Sequence, residues 1–377
     1  MARENNPRKL KGYYRFSKKY PSPRGTGYAI GESRKMKKKE RAGKILLAVL
    51  LCVFFAVAFI AAAVFIKLSA RPLPEKHEDS NAPAVTVEDI KSLKAVYIGN
   101  ESLGDTGDLE LALDSAAESG CNAVMLDFKN SEGILTYPSS LMSAPEGAEY
   151  NEINQAVIEK IKSSGFMLVA RIYCFEDSSA PQRTGAFVWG NKELTDIWFD
   201  APAALGGRVW LNPASQKARD YLCSVISEVS SMDIDCVYLQ SVCFPSSDST
   251  GAPVFTEDDT SLNKNMILQQ FLEDAASSAQ HVPLILSLSG DARQGDSELY
   301  GGSLFDSAAA VCSPVIAAPE EGDYAVYAAE RCAELNESVK NNFTTIKVIP
   351  TLTEQSSSAN LPAQLIKAGV DSFIITP

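Results

Sequence analysis

The stretch AVMLDFK, residues 123–129, carries the clearest information about the fold. Its apolar residues run on almost without a break, which is typical of a strand buried on both faces of a parallel sheet. It also contains Asp127 and Lys129, two charges whose burial is costly unless they are paired. Because strand side chains alternate between faces, Met125, Asp127 and Lys129 are predicted to share one side. The segment therefore predicts a buried parallel strand with a polar carboxyl end.

Seven further apolar runs of strand length surround this segment. The eight predicted strands are residues 94–99, 123–129, 168–175, 237–244, 283–290, 308–316, 347–352 and 372–377. Amphipathic stretches lie between most of them. Their apolar faces are Leu109, Leu113 and Ala116, then Ile153, Val157, Ile158 and Ile161, then Tyr221, Leu222, Val225, Ile226 and Val229, then Met266, Ile267, Phe271 and Leu272. Alternating strands and helices indicate an α/β fold with a parallel sheet, and eight units fit a closed (β/α)8 TIM-like barrel. A doubly wound open sheet is the alternative, although no glycine-rich phosphate loop follows the first strand.

An uncharged segment of 22 residues precedes the predicted barrel. It runs from residue 45 to residue 66, between Lys44 and Lys67. At about 1.5 Å per residue, a helix of this length spans roughly 33 Å, which is enough for the core of a bilayer. A cleaved signal peptide is the alternative, but its apolar region is shorter, at about 7–15 residues. The sequence thus predicts one transmembrane helix at residues 45–67.

The charge of the chain changes sign at this segment. Residues 1–44 hold 15 Lys/Arg and 3 Asp/Glu, a net charge of +12, whereas the rest of the chain holds 20 and 44, a net charge of -24. Basic flanks stay in the cytoplasm and contact anionic lipid headgroups. We expect a basic cytoplasmic tail at 1–44, a linker at 68–90 and an extracytoplasmic barrel at 91–377, in a single-pass protein of the cell membrane. Nucleic acid is not an expected partner of so acidic a domain.

Histidine and cysteine chemistry has little support in the sequence. Of the two histidines, His77 lies in the linker and His281 precedes the fifth strand, at the wrong end of a barrel for catalysis. No metal site and no cofactor are therefore predicted. Seven cysteines lie outside the apolar segment, and none forms a C-x-x-C pair. Their apolar surroundings favour buried free thiols, with one or more disulfides as the alternative.

Polar residues recur near the predicted carboxyl ends of neighbouring strands. Arg171 in the third strand, and Tyr238 and Gln240 in the fourth, fall on the same face as Asp127 and Lys129. The active sites of such barrels lie at the carboxyl ends of the strands. The charged groups are therefore predicted to meet there, with Asp127 and Arg171 as a buried pair. They form either a structural ion pair or a pocket for a hydroxyl-rich ligand.

Three motifs follow one another along the predicted barrel. They are CNAVMLDFKNSEGILTYP at residues 121–138, ARIYCFED at residues 170–177, and the Trp-x-Asn-Pro…Arg-x-Tyr pattern of residues 210–221. The three motifs resemble a bacterial family of membrane-anchored proteins with a glycoside-hydrolase-like (β/α)8 barrel. The resemblance covers most of residues 90–377. It implies a carbohydrate-active barrel whose mouth takes a glycan or a cell-wall polysaccharide.

The fourth strand departs from the pattern of that family. Where the family has Asp, then Tyr, then Arg two residues later, this chain has Gln240, Ser241 and Cys243. Glycoside hydrolysis normally uses two carboxyl groups, and glutamine cannot transfer a proton or attack. Asp127 remains the catalytic candidate. Their strand positions predict substrate-binding roles for Lys129, Arg171, Tyr173, Tyr238 and Gln240, and Trp210 is predicted to bind by stacking on a sugar.

Three functions stay open, and with them whether the protein is an enzyme. They are glycan binding with little or no catalysis, which we favour, an active glycosidase that recruits a loop carboxylate, and a structural or signalling ectodomain that binds protein. The loop carboxylates are Glu132, Glu176, Asp177, Asp291, Glu320 and Glu321. Exposed aromatic residues near the strand ends would favour a glycan, and the candidates are Trp189, Trp198, Phe199 and Trp210.

Overall fold

The computed structural model describes residues 88–142, 149–246, 249–289, 298–305, 307–309, 311–317, 319, 323–342, 347–353 and 361–377. Ser80–Pro377 forms one compact unit. The basic tail, the predicted transmembrane helix and nearly all of the linker lie outside the described residues. Within the described part of the chain, no helix has both the length and the apolar character needed to cross a bilayer.

Parallel strands form a closed barrel. The strands are β1 (Lys94–Tyr97), β2 (Ala123–Lys129), β3 (Met167–Tyr173), β4 (Cys236–Gln240), β5 (Leu284–Leu288), β6 (Val311–Ile316), β7 (Lys347–Val348), β8 (Thr351–Thr353) and β9 (Phe373–Thr376). The short strands β7 and β8 both pair with β6 and together make one stave, which gives eight staves among the described residues. Because β9 pairs with β1 and β5 with β6, the sheet has no open edge. The predicted barrel is confirmed, and the open sheet is wrong.

Helices lie between most successive strands of the barrel. They are α1 (Thr106–Glu118), α2 (Gln155–Ser163), α3 (Ala180–Thr184), α4 (Gln216–Ser230), α5 (Lys264–Ser278), α6 (Tyr324–Asn342) and α7 (Leu361–Lys367). Short 3-10 helices cover Asp89–Ser92, Asn100–Leu103, Ala203–Leu205 and Asp259–Ser261. Asp105 and Asn154 accept backbone N–H bonds in the first turns of α1 and α2, as N-cap residues do.

The predicted buried faces of α1, α2 and α4 are confirmed, with Tyr221 of α4 half-buried, but that of α5 is partly wrong. Met266 is 63% exposed, and Leu268 is buried together with Phe271, Leu272 and Ala275. Those four positions have the spacing of a single helical stripe. Met266 lies two residues before the stripe, which places it on the opposite side of the helix.

The interior of the barrel is packed with side chains. Ile90 in the first 3-10 helix and Leu93 directly after it belong to the same buried cluster as Met125, Val169 and Ile285 on the strands. This apolar floor closes the amino-terminal end of the barrel. Alternate residues of the strands pack outward against the helices, as expected for this fold.

A layer of hydroxyl groups lies inside the barrel. The Tyr238 hydroxyl is 2.8 Å from Thr351 Oγ1, which in turn is 2.7 Å from Ser313 Oγ. Ser313 donates to the carbonyl of Ile349 at 2.6 Å. Because these groups satisfy one another, the barrel keeps polar atoms inside without a buried net charge.

The seven cysteines outside the apolar segment are free thiols. Six are buried and Cys223 is half-buried. Burial raises the pKa of Cys174 and Cys236, and it raises that of Cys121 to about 11. The prediction of buried free thiols is confirmed, and the disulfide alternative is wrong.

Candidate ligand site at the barrel mouth

Asp127 and Arg171 form a two-pronged ion pair at the carboxyl ends of β2 and β3. The register places the two residues side by side. Arg171 Nε donates to Asp127 Oδ1 at 2.5 Å, and Arg171 Nη2 donates to Asp127 Oδ2 at 2.9 Å. The side chain of Asp127 is 12% exposed and that of Arg171 is 5% exposed. The pair predicted from strand alternation is confirmed.

Two tyrosines enclose the Arg171 guanidinium. Its Cζ atom lies 4.4 Å from the centre of the Tyr97 ring and 5.0 Å from that of Tyr173, both within the range of cation–π attraction. Tyr97 also donates to Asp127 Oδ2 at 3.1 Å. Burial and the nearby carboxylate raise the pKa of Tyr97, so its hydroxyl stays a donor. Tyr97 was missing from the sequence candidates, although its place at the end of β1 marked it.

Burial alone would lower the pKa of Arg171. The hydrogen bonds and charge of Asp127 outweigh that effect, and the net shift is upward. The guanidinium therefore stays charged. The centre of the mouth is a neutralised pair beside two aromatic rings, rather than a free acid.

Lys129 does not reach this centre, so its predicted position at the mouth is wrong. The strand register shifts between Asp127 and Lys129, and Lys129 lies beside Ile172 instead of Tyr173. Ile172 packs on the outer, helix-covered side of the sheet. A bulge inserts one residue and reverses the alternation beyond it. Lys129 Nζ lies 2.8 Å from Asp177 Oδ2, and both side chains are 0% exposed.

Asp177 has a structural role, so we no longer count it among the loop carboxylates that are candidates for catalysis. It accepts the backbone N–H groups of Ser179 and Ala180 at 2.8 and 2.7 Å, at the start of α3. Gly133 has a φ of +81°, and a Cβ there would lie 2.0 Å from Asp177 Oδ1. The Gly133 of the second-strand motif thus makes room for the buried pair of Asp177 and Lys129.

Tyr238 and Gln240 lie at different depths on β4. Tyr238 is fully buried in the hydroxyl layer, where burial raises its pKa, and we expect no direct contact with a ligand. Gln240 is half-buried and pairs with Tyr173. The next residue, Ser241, has a φ of +55°, which is unusual for a residue other than glycine.

A second polar group surrounds Glu176, just beyond β3. Ser241 Oγ donates to Glu176 Oε2 at 2.7 Å, and Arg208 Nη2 lies 2.7 Å from Glu176 Oε1. Arg208 also lies 3.5 Å from Asp200 Oδ2, and Trp210 Nε1 donates to the same oxygen at 3.0 Å. Of this group, the sequence analysis proposed only Trp210 as a binding residue. No spacing motif links Arg208 to Glu176, because a loop of about thirty residues brings them together.

The candidate aromatic residues fall into different environments. Trp198 is buried and donates to the carbonyl of Gly251 at 3.0 Å, so it holds loops together. Trp189 is half-buried against Phe187. Phe199 is 44% exposed. Glu132 is exposed, and Asp291, Glu320 and Glu321 lie outside the described residues.

No group of three metal-binding side chains was found within the described part of the chain. The described side chains at the mouth supply carboxylates, guanidinium groups, an amide and aromatic hydroxyls. Such groups hydrogen-bond sugar hydroxyls and stack on sugar rings.

The solved structures similar to this chain include a hypothetical protein from Ruminiclostridium thermocellum ATCC 27405, with 19% identity, 51% of this chain and 96% of that chain covered, and a TM-score of 0.43. α-L-Fucosidase isoenzyme 2 from Paenibacillus thiaminolyticus has 12% identity, coverages of 75% and 45%, and a TM-score of 0.48. The α-galactosidase TtGalA from Thermus thermophilus has 11% identity, coverages of 75% and 57%, and a TM-score of 0.47. The match thus spans about half the length of each of these two enzymes.

A search of curated proteins finds no match. A family model described as "Putative glycosyl hydrolase domain" matches residues 95–291, more than half of the chain. The matched region runs from β1 past the end of β5 and contains Asp127, Arg171, Glu176 and Gln240. The chain therefore belongs to this glycosyl-hydrolase-like family, DUF4015.

Proposed function

We propose that the chain is a membrane-anchored, extracytoplasmic protein whose barrel mouth binds a glycan with little or no turnover. Membership of a glycosyl-hydrolase-like family supports a carbohydrate ligand. The polar and aromatic lining of the mouth supports it as well. Tyr97 and Tyr173 offer aromatic rings on which a sugar can stack, and Gln240 offers an amide for hydrogen bonds.

One observation carries the proposal that turnover is lost. Asp127 is the one carboxylate on the inward-facing strand positions of the described barrel, and Arg171 binds both of its oxygens. Tyr97 adds a third hydrogen bond. A nucleophile or general base needs an accessible oxygen, and glycoside cleavage needs a second carboxyl group across the bond. Gln240 lies at the end of β4, two strands away from Asp127, and its amide cannot act as an acid or a nucleophile.

An active glycosidase is the second candidate, because one loop carboxylate does reach the mouth. Glu176 is held by Ser241 and Arg208, and its side chain is 17% exposed. In that case Asp127 and Glu176 would have to share the two roles of acid and nucleophile or base. The ion pair with Arg171 opposes this, since the pair must open before Asp127 can react.

The membrane anchor belongs to the same proposal and rests on the sequence. The uncharged residues 45–66 and the basic residues before them support a single span with a cytoplasmic amino terminus. Membrane lipids would then contact the span and the basic tail.

The proposal is tested with the full-length chain in detergent micelles, screened on a glycan array and then assayed for hydrolysis of the bound glycans. We expect binding without detectable hydrolysis. Hydrolysis that disappears in Asp127→Asn would overturn the loss of turnover and establish the glycosidase. Binding to no glycan, by a chain that unfolds cooperatively on heating, would remove the carbohydrate proposal and favour a protein partner.

A further inference from the structure

Resting on the proposed glycan-binding function, we propose that Glu176 and Arg208 form a second sugar-binding subsite beside the Asp127–Arg171 pair. The subsite takes sugars that carry no negative charge. Asp200, Trp210 and Ser241 hold the two ligand-binding groups in place. All five residues lie within the part of the chain that the structure describes.

The two charged groups of the subsite keep capacity for a ligand. Each oxygen of Glu176 has one partner, Ser241 for Oε2 and Arg208 for Oε1. A carboxylate oxygen accepts about two hydrogen bonds, so each retains room for a sugar hydroxyl. Arg208 is 40% exposed, and both of its ion pairs among the described residues use Nη2. Within the described part of the chain, no ion pair uses its Nε or Nη1, so these groups can donate to a ligand.

The subsite lies next to the main mouth. Beyond β3 and β4 the chain pairing continues, since Cys174 N donates to the carbonyl of Gln240 at 2.8 Å and Phe175 N to that of Ser241 at 3.2 Å. This pairing carries Glu176 along the same barrel rim as Tyr173. Asp127 and Glu176 both raise the pKa of Tyr173, after the larger effect of burial. One sugar chain can therefore contact both groups.

The backbone conformation of Ser241 supports a fixed position for the Glu176 carboxylate. The Ser241 φ of +55° is a conformation that residues with a side chain rarely adopt. The conformation directs the Ser241 hydroxyl to Glu176 Oε2. Asp200 holds Trp210 and Arg208 in place. Its Oδ2 accepts from Trp210 Nε1, and its Oδ1 accepts from the backbone N–H of Arg208 at 2.7 Å.

Charge determines which sugars fit the subsite. Glu176 and Asp200 carry two negative charges against the single positive charge of Arg208, and the Asp127–Arg171 pair is neutral. The surplus is one negative charge in a partly desolvated place, where charge interactions are strong. A uronic acid or a phosphorylated sugar would meet this charge and would compete with Glu176 for Arg208. A neutral sugar would instead donate hydroxyl groups to Glu176.

The experiment compares hexamers of glucose, galactose, mannose and N-acetylglucosamine with the same hexamers oxidised to uronic acids at C6. Binding to the full-length chain is measured by calorimetry. We expect the wild type to bind at least one neutral hexamer and to bind its oxidised form more weakly. Glu176→Gln should weaken the neutral complex by about tenfold, because it removes a charge-assisted hydrogen bond. The same variant should reduce the difference in affinity between the neutral and the oxidised hexamers.

Two further variants separate a ligand-binding role from a structural one. Glu118→Gln changes an exposed residue at the end of α1, on the other end of the barrel, and should bind like the wild type. Arg208→Gln should also weaken neutral binding and serves if Glu176→Gln fails to fold. Wild-type affinity and unchanged charge preference in Glu176→Gln or Arg208→Gln would remove the subsite and leave the proposed function intact. Wild-type binding to the oxidised hexamers alone would also remove the subsite and leave the proposed function intact, whereas binding to no hexamer, neutral or oxidised, would count against the proposed function itself.

Discussion

At the scale of single residues, Asp127 faces two demands on one carboxylate. A catalytic role requires a free oxygen, whereas the buried Arg171 requires a partner for its charge. The structure meets the second demand, since both oxygens of Asp127 bind the guanidinium. Strand alternation was enough to predict this pair, because the two residues are direct neighbours in register.

Breaking the pair should destabilise the fold. We expect Asp127→Asn and Arg171→Met each to lower the free energy of unfolding by about 3–5 kcal/mol, because each leaves its partner buried and unpaired. The double variant should lose less than the sum of the two. Urea unfolding followed by tryptophan fluorescence measures all three.

The matched control is the exposed pair of Glu110 and Lys160 on the helices. Glu110→Gln should cost about 0–1 kcal/mol, as surface ion pairs do. An Arg171→Met variant that costs no more than this control would contradict a stabilising role for the buried pair.

Substitution of Gln240 tests whether a carboxyl group at the end of β4 restores hydrolysis. We expect no measurable hydrolysis of aryl glycosides by the wild type, and a small gain in Gln240→Asp, because an acid there supplies the missing second carboxyl group. Gln240→Asn is the control, since it keeps an amide at the same place. Ser241 and Cys243 also differ from the family pattern, which limits the gain. Robust wild-type hydrolysis that depends on Asp127 would contradict the prediction.

At the scale of elements, the bulge in β2 sets the boundary of what the sequence could predict. Alternation holds from Met125 to Asp127 and fails at Lys129, where the register shifts by one residue. Nothing in the local sequence marks this shift, because the shift lets Lys129 pair with the buried carboxylate of Asp177, a residue far along the chain. The bulge therefore separates the mouth from the structural pair behind it.

Two glycines allow the packing beside this bulge to be tested. Gly133 and Gly185 both have positive φ, at +81° and +72°, but only at Gly133 would a Cβ meet neighbouring atoms. Gly185→Ala should therefore cost about 1–2 kcal/mol from backbone strain alone. Gly133→Ala should cost clearly more in urea unfolding, because the new methyl group displaces Asp177 from Lys129. Equal costs for the two substitutions would show that the buried pair tolerates displacement.

At the scale of the whole molecule, the barrel could be predicted and the full mouth could not. Eight apolar runs separated by amphipathic helices require a parallel sheet, and a repeat of eight closes it. The mouth, however, is completed by loops. Asp200 and Arg208 meet Glu176 only after the chain has folded, so no sequence pattern brings them together.

The proposed arrangement in the membrane also belongs to the scale of the whole chain. Protease added to intact cells should remove the barrel and spare a tag fused to Met1, because the basic residues before residue 45 keep that end in the cytoplasm. Cells opened with detergent are the control, in which the tag should also be lost. Digestion of the tag in intact cells, with the barrel protected, would reverse the proposed orientation.

The free thiols of the barrel place folding and oxidation in competition. In the folded protein six of the seven thiols are buried, and burial raises the pKa of Cys332 to about 12, so few thiolates are available to react. The unfolded chain has no such protection, and in an oxidising medium its thiols would pair at random. If the barrel is exported as proposed, rapid closure buries its thiols before they are oxidised. A chain that folded slowly would accumulate mispaired disulfides that prevent closure of the barrel, so the yield of the proposed membrane-anchored protein would depend on the rate of folding.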